Sequence, residues 1–150
     1  MRTTFQVDDI DVVARLRALK SAGGDLRKPY ARIGAYLQEE IHRLFDVSRT
    51  PWGEPWRPLK YREGKPLRDT GVHLQQTIGY EVRGESLEVG TRTPWAWIHQ
   101  FGGRAGRNLA ARIPARPFLP VDQAGHARLP ADWKQGLLGM MREHIEESVR

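Results

Sequence analysis

Apolar residues recur at helical spacing near both ends of the chain, and no other pattern constrains the fold as strongly. The N-terminal stripe consists of Tyr30, Ile33, Leu37, Ile41 and Leu44. The C-terminal stripe consists of Trp133, Leu137, Met141, Ile145 and Val149. A stripe of this kind gives a helix one apolar face that must be buried. We therefore predict two long amphipathic helices, which begin near Pro29 and near Asp132.

A shorter helical stripe precedes these two and is formed by Ile10, Val13, Leu16 and Leu19. Asp8 and Asp9 come just before it, where acidic side chains suit the N-terminus of a helix. Gly23-Gly24 follows it and is typical of a helix end. The N-terminal part of the chain is therefore predicted to hold two helices.

Between Tyr80 and Val89 the pattern changes to strict alternation, which predicts a β-hairpin. Gly84-Glu85 supplies a two-residue turn with glycine first. In that register Tyr80 faces Val89 and Val82 faces Leu87, so the apolar pairs share one side of the hairpin.

The same register places Glu81 opposite Glu88, an unfavourable pair of like charges. A third, basic strand from Arg112 to Leu119 would relieve it, and its prolines would confine it to an edge. The predicted fold class is α+β, in which amphipathic N-terminal and C-terminal helices pack on a small antiparallel sheet. We expect one domain over residues 1–150, because the chain shows neither an internal repeat nor a domain boundary.

Long stretches of the chain have no regular period. From Asp46 to Thr70 prolines and glycines interrupt every pattern, although Trp52 and Trp56 lie there. A loop of this length is uncommon in a compact domain unless it is functional. The Gly, Arg and Ala residues from Gly103 to Ala111 predict a second irregular segment, which is either mobile or ordered by a partner. Trp52 and Trp56 are expected either to cap the core or to contact a neighbouring subunit.

The charge of the chain is unevenly distributed. The formal net charge is +6 and the sequence pI is about 10.1. Between Val89 and Val121 there is no acidic residue, whereas five arginines occur there: Arg92, Arg104, Arg107, Arg112 and Arg116. Such a segment suits either nucleic acid or an acidic protein surface. Nearby aromatic residues favour a protein interface, since arginine and aromatic side chains are enriched there.

The sequence shows no set of residues that is typical of an enzyme. It contains no cysteine, and its five histidines have no metal-ligand spacing. Gly102 to Gly106 is glycine-rich but is not followed by the helix of a phosphate loop. His99 is expected to be a partly buried histidine that hydrogen-bonds the backbone. We therefore expect no catalytic activity, no metal and no cofactor. A hydrolase that uses His99 is the disfavoured alternative.

No segment predicts membrane insertion or export. The apolar runs are far shorter than the roughly 20 residues of a membrane span, and the first residues lack the apolar core of a signal peptide. We expect a protein without membrane contact, and a chain without cysteine fits the cytosol.

Four stretches together resemble one protein family. They are Arg49–Leu59 (RTPWGEPWRPL), Pro66–Gly71 (PLRDTG), Glu88–Thr91 followed by Ala96–Gly103 (EVGT and AWIHQFGG), and Ile113–Leu119 (IPARPFL). In this order they are similar to the phage virion morphogenesis family, which includes the late morphogenesis protein of Mu-like phages and tail-completion proteins. The resemblance covers roughly Phe45 to Leu119 and carries over no catalytic residue.

The resemblance implies a structural protein of the virion, at the neck or tail end, that completes the tail or joins tail to head. It implies a homo-oligomeric ring whose partners are neck, connector or tail proteins, and some arginines are expected to face DNA in the lumen. The alternative is a basic nucleic-acid-binding module. The candidate interface residues are Trp52, Trp56, Trp95, Trp97, His99, Phe101, Arg104, Arg107, Arg112, Arg116 and Phe118.

Overall fold

A computed structural model describes residues 10–21, 25–61, 63–67 and 73–149 of the chain. The helices are α1 Ile10–Ser21, α2 Arg27–Val47, α3 His73–Thr77, α4 Ala96–Phe101 and α5 Ala131–Val149. The strands are β1 Gly79–Arg83, β2 Ser86–Gly90, β3 Gly103–Ala105 and β4 Ala111–Ile113, and a 3-10 turn spans Arg107–Leu109. This is the predicted α+β class. Asp8, Asp9, Gly23-Gly24 and the stretch from Arg68 to Gly71 lie outside the described residues.

Helix α2 is the central element of the fold. Its predicted stripe is buried along the whole helix. The residues Pro29, Gly34 and Phe45 are buried beside it. The β1–β2 hairpin packs on α2, and so does α5, which also packs on α1. The helix ends at Val47. The N–H of Ser48 donates to the Leu44 carbonyl, and the left-handed backbone of Ser48 turns the chain so that the Arg49 N–H donates to the same carbonyl at 3.2 Å. One apolar face therefore organises α5 and the first hairpin.

The first hairpin has the predicted register. Tyr80 pairs with Val89, and Val82 pairs with Leu87. Tyr80 lies against Gly34 of α2, where a larger residue would collide with its ring. The residue with the smallest side chain therefore lets the hairpin approach the helix closely.

The expected third strand beside this hairpin is not formed. Strands β3 and β4 pair only with each other, in a separate two-stranded sheet. Glu81 does face Glu88, but its carboxylate is compensated by Arg83 at 2.9 Å and Arg92 at 2.8 Å. Arg83 of the hairpin and Arg92 of the loop after it thus supply the positive charge that we had expected from a third strand.

The core is continuous from the helices to the irregular segments. Phe45 is fully buried, and its ring lies 5.3 Å from that of Trp56 and 5.5 Å from that of Phe118, measured between centroids. Aromatic pairs at these distances add stability beyond the area they bury. The loop after α2 and the segment after β4 are therefore parts of one hydrophobic core.

Candidate interaction surface

The tryptophan loop after α2 folds onto its own subunit. Trp56 is 5% exposed, and its indole Nε1 donates to the carbonyl of Pro117 at 2.7 Å. Trp52 is half-buried and donates to the carbonyl of Arg128 at 2.9 Å, with the Arg128 guanidinium 5.8 Å from its ring centre. The loop was predicted either to cap the core or to contact a neighbouring subunit. Trp56 caps the core, because it is enclosed within its own subunit. Trp52 keeps an accessible edge.

Gln100 of α4 is the buried polar centre of this region. Its Nε2 donates to the carbonyls of Leu119 at 3.0 Å and Val121 at 3.2 Å. Its Oε1 accepts from the backbone N–H groups of Phe118 at 3.0 Å and Leu119 at 2.9 Å. A single amide therefore satisfies four backbone groups of a proline-rich segment that has no strand partner. Sequence reasoning did not single out Gln100, although it stands within the recognised motif.

Two further predicted interface residues are buried in the same region. Phe118 is 0% exposed, and Arg116 is 8% exposed. The guanidinium of Arg116 donates to the carbonyls of Arg57 at 2.8 Å and Pro58 at 3.2 Å. Within the subunit this arginine ties the tryptophan loop to the segment after β4. A buried cation is retained only where its donors are satisfied in this way.

His99 is partly buried beside this cluster. Its backbone carbonyl accepts a hydrogen bond from the Arg116 N–H at 2.7 Å. Its Nδ1 is buried and has no hydrogen-bond partner among the described residues, so the expected bond from the ring to the backbone is not formed at that atom. Burial, and secondly the positive charge of Arg116, lower the pKa of the imidazole. Both effects favour the neutral form of the imidazole, whose ring is edge-on to that of Trp95 with the centroids 5.5 Å apart.

The remaining predicted residues form the exposed part of the site. Trp95 is 46% exposed and Trp97 is 48% exposed. Arg104, Arg107 and Arg112 are exposed on the second hairpin, and Phe101 is partly buried against the core. Sequence reasoning missed Leu109, which is 59% exposed at the tip of the same hairpin. The signal was a single large apolar residue in a run of Gly, Arg, Asn and Ala.

The segment from Gly103 to Ala111 is therefore a hairpin in the subunit, whereas its composition predicted a segment that needs a partner to become ordered. Its tip holds Asn108 and Leu109 with φ of 58° and 54°, a backbone region that L-residues rarely adopt. We call the exposed side chains Trp95, Trp97, Arg104, Arg107, Leu109 and Arg112 the hairpin surface. It combines arginine and large apolar side chains, a combination that is enriched at protein–protein interfaces.

A half-open cavity among the described residues lies elsewhere. Its volume is about 770 Å³, and it opens between the β1–β2 hairpin and the apolar faces of α1, α2 and α5. Leu16, Ile33, Leu137 and Met141 are among its lining residues. None of the predicted interface residues lines it. Within the described residues, no three acidic or histidine side chains are placed to hold a metal ion, and no helix has the length and hydropathy of a bilayer span.

Comparison with known proteins identifies the family. The profile of the phage virion morphogenesis family matches residues 7–137. The chain belongs to the phage virion morphogenesis family. It is also 42% identical over 102 residues to the Mu-like prophage FluMu G protein 2 of Haemophilus influenzae, a match that covers 65% of this chain and 71% of that protein. No solved structure matches the chain significantly.

In this member of the phage virion morphogenesis family, the recognised motifs build the subunit, whereas all residues of the hairpin surface except Trp97 lie outside these motifs. Trp56, Gln100, Arg116 and Phe118 hold the subunit together, as their burial and hydrogen bonds show. The hairpin surface is left free of the core. The protein is a phage virion morphogenesis protein, and the hairpin surface is its candidate interaction surface.

Proposed function

We propose that this phage virion morphogenesis protein is a non-catalytic structural subunit that completes the tail or joins the tail to the head, as a ring in the phage neck. Its partners in this proposal are further copies of itself and the neighbouring neck, connector or tail proteins. The subunit acts as a single domain.

The observation that carries the proposal is the hairpin surface. Trp95 and Trp97 are about half exposed, although the chain buries Trp56 and Trp133 almost completely. Tryptophan and arginine are the side chains most enriched where protein complexes gain their binding energy. A subunit that keeps these residues outside its core is suited to bury them against a neighbour.

A second candidate is contact with the phage genome. Arg104, Arg107 and Arg112 form no ion pair with a described residue, and exposed tryptophans lie in the same region. Cations beside aromatic faces also suit nucleic acid. Phosphate contacts would make such binding fall steeply with salt.

The test is complementation of a phage whose copy of this gene is deleted. We expect the deletion to give full heads and unattached tails, and the wild-type gene to restore infectious particles. The double variant Trp95→Ala, Trp97→Ala should reduce the titre by roughly tenfold or more, because truncation of interface tryptophans costs at least about 1–2 kcal/mol each.

The matched control is Tyr61→Ala, which removes an aromatic ring that is 89% exposed outside the hairpin surface. This variant should complement like the wild type. If the deletion strain instead made complete, joined virions, the proposed function would be wrong. If the double tryptophan variant complemented as well as Tyr61→Ala, the hairpin surface would have no role in the proposed function.

A further inference from the structure

We propose that the second hairpin of one copy docks on the C-terminal end of α5 of the next copy, with Arg104 and Arg112 facing Glu146 and Glu147. This inference rests on the proposed ring, and it names the contact that closes it. Each of the two surfaces carries like charges that form no ion pair with another described residue.

The basic surface is unfavourable within its own subunit. Arg104 and Arg112 are directly opposite each other in the β3–β4 register, and like charges in cross-strand pairs are destabilising. No acidic residue occurs between Val89 and Val121. Neither guanidinium group forms an ion pair with a described residue. Carboxylates from outside the subunit would relieve the repulsion.

The acidic surface is unfavourable for a different reason. Glu146 and Glu147 lie in the last turn of α5, which contains no basic residue. The C-terminus of a helix carries a partial negative charge, so acidic side chains there destabilise it. Both glutamates are exposed, and neither pairs with a described cation, whereas Glu143 one turn earlier pairs with Arg32 at 2.9 Å. Arginines from a neighbour would compensate the glutamates and the helix dipole together.

The placement of the two surfaces suits a ring. The second hairpin packs next to α4, whereas α5 packs on α1 and α2. The contact therefore joins two different patches of the subunit, and such head-to-tail contacts form a ring when the rotation between successive copies closes. Trp97 and Leu109 flank the arginines and are exposed. Apolar neighbours that exclude water strengthen an arginine–carboxylate contact, which can be bidentate.

The test measures association of the full-length protein by sedimentation velocity at low and high salt. The single variant Arg104→Glu converts the repulsive cross-strand pair into an attractive one, so the hairpin is retained. The variant Glu146→Arg, Glu147→Arg reverses the acidic surface. Each should weaken association by roughly tenfold or more, since like charges now meet across the contact. The control Glu39→Arg, Glu63→Arg makes the same change in charge at two other exposed glutamates and should associate like the wild type.

Combining Arg104→Glu and Arg112→Glu with the reversed acidic surface should restore association, because the charges are then exchanged. Circular dichroism checks that each variant is folded. If the reversed acidic surface associates as the control does, while the wild type forms rings, the contact is wrong and the proposed function stands. Absence of any wild-type oligomer would contradict both. If Arg104→Glu abolished binding of duplex DNA and left association unchanged, the hairpin would serve DNA, and the proposed contact would be overturned.

Discussion

At the scale of single residues, Gln100 has the largest structural effect that the sequence did not reveal. It is buried, and its amide bonds four backbone groups of the segment from Phe118 to Val121. That segment follows two prolines and belongs to no described strand, so four of its polar groups bond to this one side chain, while the Pro120 carbonyl accepts from the Arg128 N–H at 2.7 Å. A buried polar group without a partner destabilises the fold, so this packing requires the amide of Gln100.

Replacing Gln100 with Ala should lower the free energy of unfolding by about 3 kcal/mol or more, because several buried N–H and C=O groups lose their partner. Urea denaturation followed by circular dichroism measures this change. Gln135→Ala, at an exposed position of α5, is the matched control and should change stability by less than about 0.5 kcal/mol. Equal, small effects of the two variants would show that water replaces the amide.

At the scale of elements, Gly102 determines how the second hairpin leaves α4. Its φ is +75°, and a Cβ there would lie 2.9 Å from the backbone nitrogen of Ala115 and 3.1 Å from the carbonyl oxygen of Ile113. Both contacts are with backbone atoms, which cannot rotate away. The glycine therefore allows helix and hairpin to meet and directs the hairpin surface outward.

Gly102→Ala should destabilise the protein more than Gly125→Ala does. Gly125 has a similar φ of +83°, but no atom lies within 4 Å of the position that a Cβ would occupy, so its substitution costs only the backbone strain of about 1 kcal/mol. At Gly102 the steric clash adds to that strain, and we expect a total of about 2–4 kcal/mol. Thermal unfolding of both variants measures the difference. Equal losses would mean that the backbone at Ala115 shifts freely.

At the scale of the whole molecule, Phe45 joins segments that are distant in sequence. It belongs to α2, and its ring contacts Trp56 of the tryptophan loop and Phe118 of the segment after β4. Helix α5 packs on α2, and α1 packs on α5, so both join the same core. Since no part buries its apolar surface alone, the chain should unfold as one cooperative unit.

The prediction is that tryptophan fluorescence and far-ultraviolet circular dichroism give the same unfolding midpoint. Phe45→Ala should lower both midpoints together and cost about 3–5 kcal/mol, as expected for a fully buried aromatic residue. Two separate transitions, of which only one responds to the substitution, would contradict a single domain.

Local patterns were sufficient for the regular elements. The stripes of α1, α2 and α5 and the alternation of the first hairpin predicted their places, and the turn Gly84-Glu85 predicted the register. These features depend on residues within a few positions of each other, so the sequence alone contains them. The motifs that resemble the phage virion morphogenesis family could also be recognised without a structure, and the comparison confirmed the family.

Only the tertiary structure decided which aromatic and basic residues are inside. Two pairs of residues show this. Trp56 is buried and Trp97 is exposed, and likewise Arg116 is buried and Arg104 is exposed, although the members of each pair stand in similar surroundings along the sequence. Their positions depend on contacts across about 60 residues, such as Trp56 with Pro117 and Arg116 with Arg57. The sequence by itself determined the helices, the first hairpin and the family, because those follow from short-range periodicity and motif order. Burial in the irregular segments was decided by long-range packing, which no local period encodes.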